Sequence, residues 1–376
     1  MSNKRTPSRV YFVKDIALTT VAFLLLMSAT TLAAVDSKLG IVGSVSEFLG
    51  FSPFTFSIYG NVTYVNSNSP PMPISNVRVC GNGTNCTTTD SNGDYVLTGV
   101  GSGVIDVCAS KTPASGGGYH GDPISAYDAA LISAHVSGTP LLPTTALRMA
   151  ADVTGNGTIS STDASYVSNY VVSTTPVGST GTWSLFLPGS VPWPPGDYTV
   201  CHEHNSVSGD IDGDDFVGIL YGDVSGDWIT SDGRPAIQNK DITIALPQSL
   251  APKDTEVVVP VKVQGVANKD IVAYEFDLRY DSSVLQAKLN PVALAGTVSR
   301  DLSYAVNAKE PGLIRLAVYG PTPIKDDGVL LNLKFTAIGA SGSVSPLTWD
   351  RILFNKSSPG LIENGQIIVS PAAKPK

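Results

Sequence analysis

Residues 152–163, Asp-Val-Thr-Gly-Asn-Gly-Thr-Ile-Ser-Ser-Thr-Asp, carry oxygen-bearing groups at the spacing a bound calcium ion requires. Calcium takes six to eight oxygens, and a tight twelve-residue loop offers side chains at positions 1, 3, 5 and 12, a main-chain carbonyl at 7 and a turn glycine at 6. Asp152, Thr154, Asn156, Gly157, Thr158 and Asp163 fall on those positions. Thr154 stands where Asp or Asn is usual and Asp163 where Glu is usual, so two carboxylates predict an affinity suited to extracellular calcium. A helix cap alone would explain Ser160 and Asp163, and an Asn-Gly turn Asn156 and Gly157, but neither explains Asp152.

A weaker calcium candidate lies at Asp210, Asp212 and Asp214, whose carboxylates would converge if the chain coiled as a calcium loop does. Asp215 replaces the turn glycine there, and Tyr221 takes the twelfth position. Asp223-Val-Ser225-Gly-Asp227 is a third, shorter candidate. Solvated turns explain both clusters equally well. His202 and His204 flank Glu203 and would share one face of a strand, but two ligands without a third read better as an exposed polar strand than as a zinc site. There is no G-x-S-x-G elbow, no H-E-x-x-H and no Gly-rich phosphate loop. Paired carboxylates for glycoside hydrolysis have no fixed spacing, yet they need a cleft that small filled sandwiches do not offer. The expectation is a protein that is not an enzyme.

Cys80 and Cys86 flank a short loop between two strand-like runs, a separation that lets a disulfide close a hairpin. Cys108 and Cys201 would then form a long-range pair; a site made of all four thiolates is the rival, although no C-x-x-C spacing supports it. Disulfides imply an oxidising compartment. The N-terminus agrees: Lys4, Arg5, Arg9 and Lys14 precede an apolar run over residues 16–27, and small residues lead to Ala33 and Ala34, a signal-peptide layout. Left uncleaved, the segment would be the chain's one membrane anchor. The net charge is −8, and setting aside those four basic residues and Asp15 leaves about −11, which repels nucleic acid and favours cations.

Only 15% of residues are charged, and Gly, Ser, Thr and Val abound, so the class is mainly β and multi-domain: two β-sandwiches separated by a small calcium-loop helix pair. After a signal peptide (1–34) and linker (35–55), short alternating runs over 56–112 predict a compact antiparallel sandwich. Over 113–175, ISAYDAALISAHVSG and ISSTDASYVSNYVVS carry apolar residues at helical spacing, each opened by a capping-box signature, Ser125 before Asp128 and Ser160 before Asp163. Residues 176–240 read as an irregular β segment with acidic loops. Strong alternation returns over 241–371, predicting about eight strands, and 372–376 form a tail.

Three resemblances follow from these runs. GNVTYVNSNSPPMPISNVRVCG followed by TTTDSNGDYVLTGVGSG resembles the carboxypeptidase regulatory-like, transthyretin-like sandwiches, which implies a spacer. AYEFDLRYDSSVL, GLIRLAVYG and GVLLNLKFTAIG resemble a cohesin, a sandwich that binds dockerins through one sheet face. The helix pair resembles a dockerin, whose repeats join a calcium loop to a helix; Asp163 matches its terminal loop Asp, and Ser161 and Thr162 match its partner-recognition pair. The first repeat departs from that pattern. Aligning Asp128 with Asp163 puts Gly117, Tyr119 and Gly121 at ligand positions, which implies a lost site, and Ala126 and Tyr127 replace the Ser-Thr pair.

The resulting expectation is a secreted or cell-surface scaffold and adhesion protein that binds a dockerin-like or cohesin-like partner, another copy of itself included, with calcium ordering the helix pair. The alternative is carbohydrate binding or an accessory role in extracellular polysaccharide degradation. Aligned exposed aromatics would favour the latter; Trp349 lies in the cohesin-like region, and Trp183, Trp193 and Trp228 lie in the irregular segment.

Overall fold

A computed structural model describes residues 55–65, 71–112, 123–138, 142–173, 175–191, 201–228 and 237–371. The expected signal peptide, its alternative as an anchor, the linker apart from Thr55, and the tail lie outside the described residues. Among the described residues no helix is long and apolar enough to cross a membrane.

The first sandwich begins with β1 (Phe56–Tyr64), β2 (Met72–Pro73), β3 (Arg78–Gly81), β4 (Asn85–Thr88), β5 (Asp94–Val100) and β6 (Gly103–Ser110). Alternation drives it: in β5, Tyr95, Leu97 and Val100 are buried while Asp94, Val96 and Thr98 face out. These six strands do not close the fold. The chain leaves after β6 to form α1 (Ala126–Ser137), α2 (Thr145–Ala151) and α3 (Ser161–Ser173), then returns as β7 (Trp183–Phe186), β8 (Cys201–Val207) and β9 (Phe216–Leu220). β9 runs parallel to β1 and antiparallel to β7, giving one sheet in the order β2-β1-β9-β7 with β5 also on β1; β8 completes the other, β4-β3-β6-β8. The segment read as a separate irregular stretch, 176–240, thus supplies three strands of the sandwich expected to end at 112. The helices are an insertion within it.

The four cysteines lie in one row across β4-β3-β6-β8, Cys86 opposite Cys80, Cys80 opposite Cys108, and Cys108 opposite Cys201. The bonds are Cys80–Cys86 and Cys108–Cys201, the latter spanning 93 positions and so the whole helical insertion.

The second sandwich has eleven strands, because short edge strands join the longer runs the sequence predicts. They are β10 (Gln238–Ala245), β11 (Gln248–Pro252), β12 (Glu256–Gln264), β13 (Ala273–Arg279), β14 (Leu285–Ala293), β15 (Ser303–Asn307), β16 (Leu313–Tyr319), β17 (Gly328–Ala337), β18 (Val344–Phe354), β19 (Ser358–Glu363) and β20 (Gly365–Ser370). One sheet runs β14-β17-β12-β10-β19 and the other β11-β20-β18-β13-β16-β15. Between them lie Val259, Val261, Leu331, Leu333, Phe335, Tyr274, Phe276, Leu278, Leu316 and Val318.

β13 breaks the one-face rule. Besides the core residues Tyr274, Phe276 and Leu278, its other face, Ala273, Glu275 and Asp277, is also buried. α1 packs against β13 and β16, and α3 against β15 and β16, so the helix pair covers the outer face of the six-stranded sheet at β13, β16 and β15.

The two disulfides predict unequal contributions. In the chain-entropy picture the 93-position closure is worth about 4–5 kcal/mol and the six-position closure about 2. Denaturant unfolding of Cys108→Ser/Cys201→Ser and of Cys80→Ser/Cys86→Ser should therefore show the larger loss of stability in the first; equal losses would contradict it.

Candidate functional site

The 152–163 loop links the end of α2 to the start of α3. Asp152 and Asp163 are both fully buried. Asp152 accepts from the Asn156 amide at 3.2 Å and the Gly157 amide at 2.7 Å. Asp163 accepts from the Thr154 amide at 3.0 Å on one oxygen and from the Ser160 amide at 2.9 Å on the other. The Thr154 hydroxyl lies 3.0 Å from Asp152 and 2.9 Å from Asp163, so residues 1, 3 and 12 of the expected loop converge. The Asn156 side chain accepts from the Thr158 amide at 2.8 Å. Among the described residues no basic side chain pairs with Asp152 or Asp163, and two buried carboxylates of this kind fit a divalent cation held by oxygens. Bound there, calcium would be held by Asp152, Thr154, Asn156, the Thr158 carbonyl and Asp163, and would neutralise the two acids.

In the first repeat Asp128 closes a loop assembled from two distant segments. Its first half comes from Asp223 to Trp228, beyond β9. The Ser225 amide, 97 positions from Asp128, donates to Asp128 Oδ1 at 2.8 Å. The Asp227 and Trp228 amides donate to the two oxygens of Asp223 at 3.3 and 2.9 Å. The Ser125 amide donates to Asp128 Oδ2 at 2.9 Å, completing the capping box of α1. Bond for bond, these repeat the contacts of Thr154, Asn156, Gly157 and Ser160. Gly117, Tyr119 and Gly121 lie outside the described residues. Asp128 and Asp223 are fully buried too. Burial, and then Asp128 nearby, push the Asp223 carboxyl up to about 7 against the pull of Lys356. Burial and Asp223 hold the Tyr64 phenol well above its usual range, so it donates to Asp223 at 2.9 Å.

The same end of the helix pair meets the second sandwich. Glu275 on β13 accepts from the Ala126 amide at the N-terminus of α1 at 2.7 Å, and its other oxygen pairs with Arg351 of β18. A carboxylate at this position satisfies an orphan amide and opposes the positive end of the helix dipole. At the far end Asn307 of β15 donates to the Val172 carbonyl of α3 at 3.0 Å, and Tyr319 of β16 bonds Ser168. The position equivalent to the Ser-Thr pair that touches this sheet is therefore Ala126, in the first repeat. Ser161 and Thr162 are exposed.

Asp210, Asp212 and Asp214 do not form a calcium loop. Their segment runs extended beside β1, with Ile211 bridged to Ile58, so the acids spread out instead of coiling round a centre. Asp210 accepts from the Ser57 amide at 2.8 Å, Asp212 is exposed, and Asp215 accepts from the Asn61 amide at 2.8 Å. Asp214 is buried and turns to the histidines: Oδ1 lies 2.5 Å from His202 Nδ1 and 3.2 Å from His204 Nε2, while Tyr95 donates to Oδ2 at 2.8 Å. The third ligand thought missing from the histidine pair is thus Asp214, and the three ligand atoms lie within 4.8 Å of one another. Such a set suits a zinc-type ion; here the three side chains hydrogen-bond and tie β8 to the approach to β9.

Trp183 and Trp228 do not line a sheet face. They pack edge-on at 4.9 Å between ring centres and both meet Tyr64, forming a half-buried aromatic cluster. Trp193 lies outside the described residues.

Residues 242–366 match the family model of the cohesin domain, and residues 122–172 match that of the dockerin type I domain. The chain carries a dockerin domain followed by a cohesin domain. Among solved structures, a type I cohesin of Pseudobacteroides cellulosolvens is 25% identical over 36% of this chain and 96% of its own, with a TM-score of 0.31. A type I cohesin–dockerin complex of Clostridium thermocellum is 21% identical, covering 34% of this chain and 98% of the other, at 0.30. A non-cellulosomal cohesin of Archaeoglobus fulgidus is 22% identical, covering 34% and 91%, at 0.29. No curated protein matches.

Glu275 makes a sharp test of the contact between dockerin helix and cohesin sheet. Glu275→Ala removes the acceptor from α1 and one partner from buried Arg351, and should cost about 3–5 kcal/mol in denaturant unfolding. A double-mutant cycle with Arg351→Ala should show strong coupling; additive losses would contradict the geometry.

Proposed function

We propose that this chain is an exported, non-catalytic scaffold and adhesion protein in which the dockerin helices and the cohesin sheet engage each other within one molecule. The burial of Glu275 beneath α1 carries this reading: the outer face of β13 is polar in sequence, yet the helix pair already covers it. Cohesins and dockerins are partners for one another, and here both lie in one chain. Calcium at the 152–163 loop orders the second repeat. Two disulfides and a calcium loop with only two carboxylates suit an extracellular setting, where oxidant and calcium are both supplied.

Docking in cis uses the two faces that self-assembly would need. The same contacts made between copies would be a domain swap, building dimers or open chains. Light scattering of the full chain in calcium and in chelator separates the two: the cis reading expects a monomer in both, and calcium-dependent growth in mass would contradict it. The edge-on packing of Trp183 and Trp228 on each other supports the protein-binding reading over an aligned aromatic row for sugars.

The calcium part has its own test. Calorimetric titration of the full chain should show one calcium per chain, and Asp152→Ala should abolish that uptake. Heat unchanged in the variant would remove calcium from this loop.

A further inference from the structure

The split loop already holds a positive charge. Lys356 reaches in from the cohesin domain, and its Nζ lies 2.7 Å from Ser225 Oγ, 2.8 Å from Asp227 Oδ1, 2.6 Å from the Pro123 carbonyl oxygen and 3.1 Å from Asp128 Oδ2. Set against the intact loop, Asp223 matches Asp152 at position 1, Ser225 matches Thr154 at 3, and Asp227 matches Asn156 at 5. Pro123 matches Thr158 at 7, and Asp128 matches Asp163 at 12. The ammonium therefore touches positions 3, 5, 7 and 12, one of them the main-chain carbonyl a calcium loop would present.

The turn that delivers it is built for the purpose. Phe354 and Ser357 exchange both backbone hydrogen bonds at 2.8 Å, leaving Asn355 and Lys356 as the two central residues at φ 43° and 68°. A two-residue turn with both φ positive favours Asn then Gly, and a lysine in the second place is strained. Asn355 anchors the turn, accepting from the Val272 and Ala273 amides and donating to the Asp270 carbonyl. Turn geometry alone would select glycine at 356; the contacts of its side chain supply the reason for lysine. Burial by itself would push that ammonium toward neutrality, but Asp128, Asp223 and Asp227 outweigh it and hold Lys356 in the charged form.

We propose that Lys356 is the resident cation of the split loop: it occupies the place of calcium, fixes the first dockerin repeat to the cohesin domain without a metal, and leaves calcium to govern the second repeat alone. This rests on docking within the chain, but not on calcium at 152–163. The two repeats then differ in kind. One end of the helix pair is pinned permanently by the protein's own charge, and the other answers to the medium.

Lys356→Ala should therefore create a calcium site, and a favourable one, since this loop brings three carboxylates where the intact loop brings two. Calorimetry of the full chain in the Asp152→Ala background isolates it. With Lys356 present the expected uptake is zero; adding Lys356→Ala raises it to one calcium per chain, and adding Asp227→Ala returns it to zero. A folded Asp152→Ala/Lys356→Ala chain that gains no calcium overturns the proposal, as does uptake in Asp152→Ala alone that Asp227→Ala removes. Should the double variant not fold, hydrogen exchange on the unaltered chain decides. The amides of Ser225, Asp227 and Trp228 keep their protection in chelator, and its collapse on calcium removal overturns the proposal. Failure of the calcium reading at 152–163 would look different: the unaltered chain would bind none, while the Lys356 variants behaved as stated.

Discussion

Carboxylates taken out of water need positive charge close by, and four are buried around the helix pair: Asp128 and Asp223 in one loop, Asp152 and Asp163 in the other. An unpaired buried charge costs several kcal/mol even after relaxation, more than a short helix pair can absorb from its own packing. Backbone amides meet part of the demand in both loops, donating to every one of the four acids. A nearby cation can meet the remainder. At the first loop the chain provides it through Lys356; at the second the residues form an oxygen cage that fits calcium.

That requirement ties the parts of the molecule together. Asp223 and Asp227 follow directly on β9 of the first sandwich, Asp128 lies on α1, and Lys356 belongs to the cohesin domain, so one buried cluster joins three regions far apart in sequence. The Cys108–Cys201 bond closes the helical insertion covalently. Glu275 then uses the free amide of Ala126 to seat α1 on the cohesin sheet, where Arg351 balances its charge. Charge and helix dipole thus both act at the N-terminal end of α1. The second repeat is tied to the same sheet at Asn307 and Tyr319.

Features set by neighbours in sequence were legible before the fold was known. The 152–163 loop, the capping boxes at Ser125 and Ser160 and the alternation of β12 and β17 each need only a local rule. The hairpin bond Cys80–Cys86 is equally local, and it left the second pair by difference. What failed needed distant partners. Asp223-Val-Ser-Gly-Asp227 repeats Asp152-Val-Thr-Gly-Asn156 almost residue for residue, a visible signal, but reading repeats as contiguous assigned the ligand positions to Gly117, Tyr119 and Gly121. The parallel pairing of β9 with β1 hid the true extent of the first sandwich and stretched out the Asp210 segment. Asp214 likewise meets His202 and His204 only through the pairing of β8 with β6 and of β9 with β1. The short helix α2, capped by Thr144, gave no sustained apolar period and was not anticipated. Alternation in β13 reads as one core face and one polar face, and cannot tell that helices cover the polar one.

Docking within one chain would bring cohesin and dockerin together through Lys356. Zero-length carbodiimide cross-linking of an equal mixture of ordinary and nitrogen-15 labelled chains tests it, because Lys356 Nζ and Asp227 Oδ1 are 2.8 Å apart. Peptides joined through Lys356 and Asp227 should carry a single isotope throughout, ordinary with ordinary and labelled with labelled. Mixed-isotope pairs would place the contact between molecules and contradict the account.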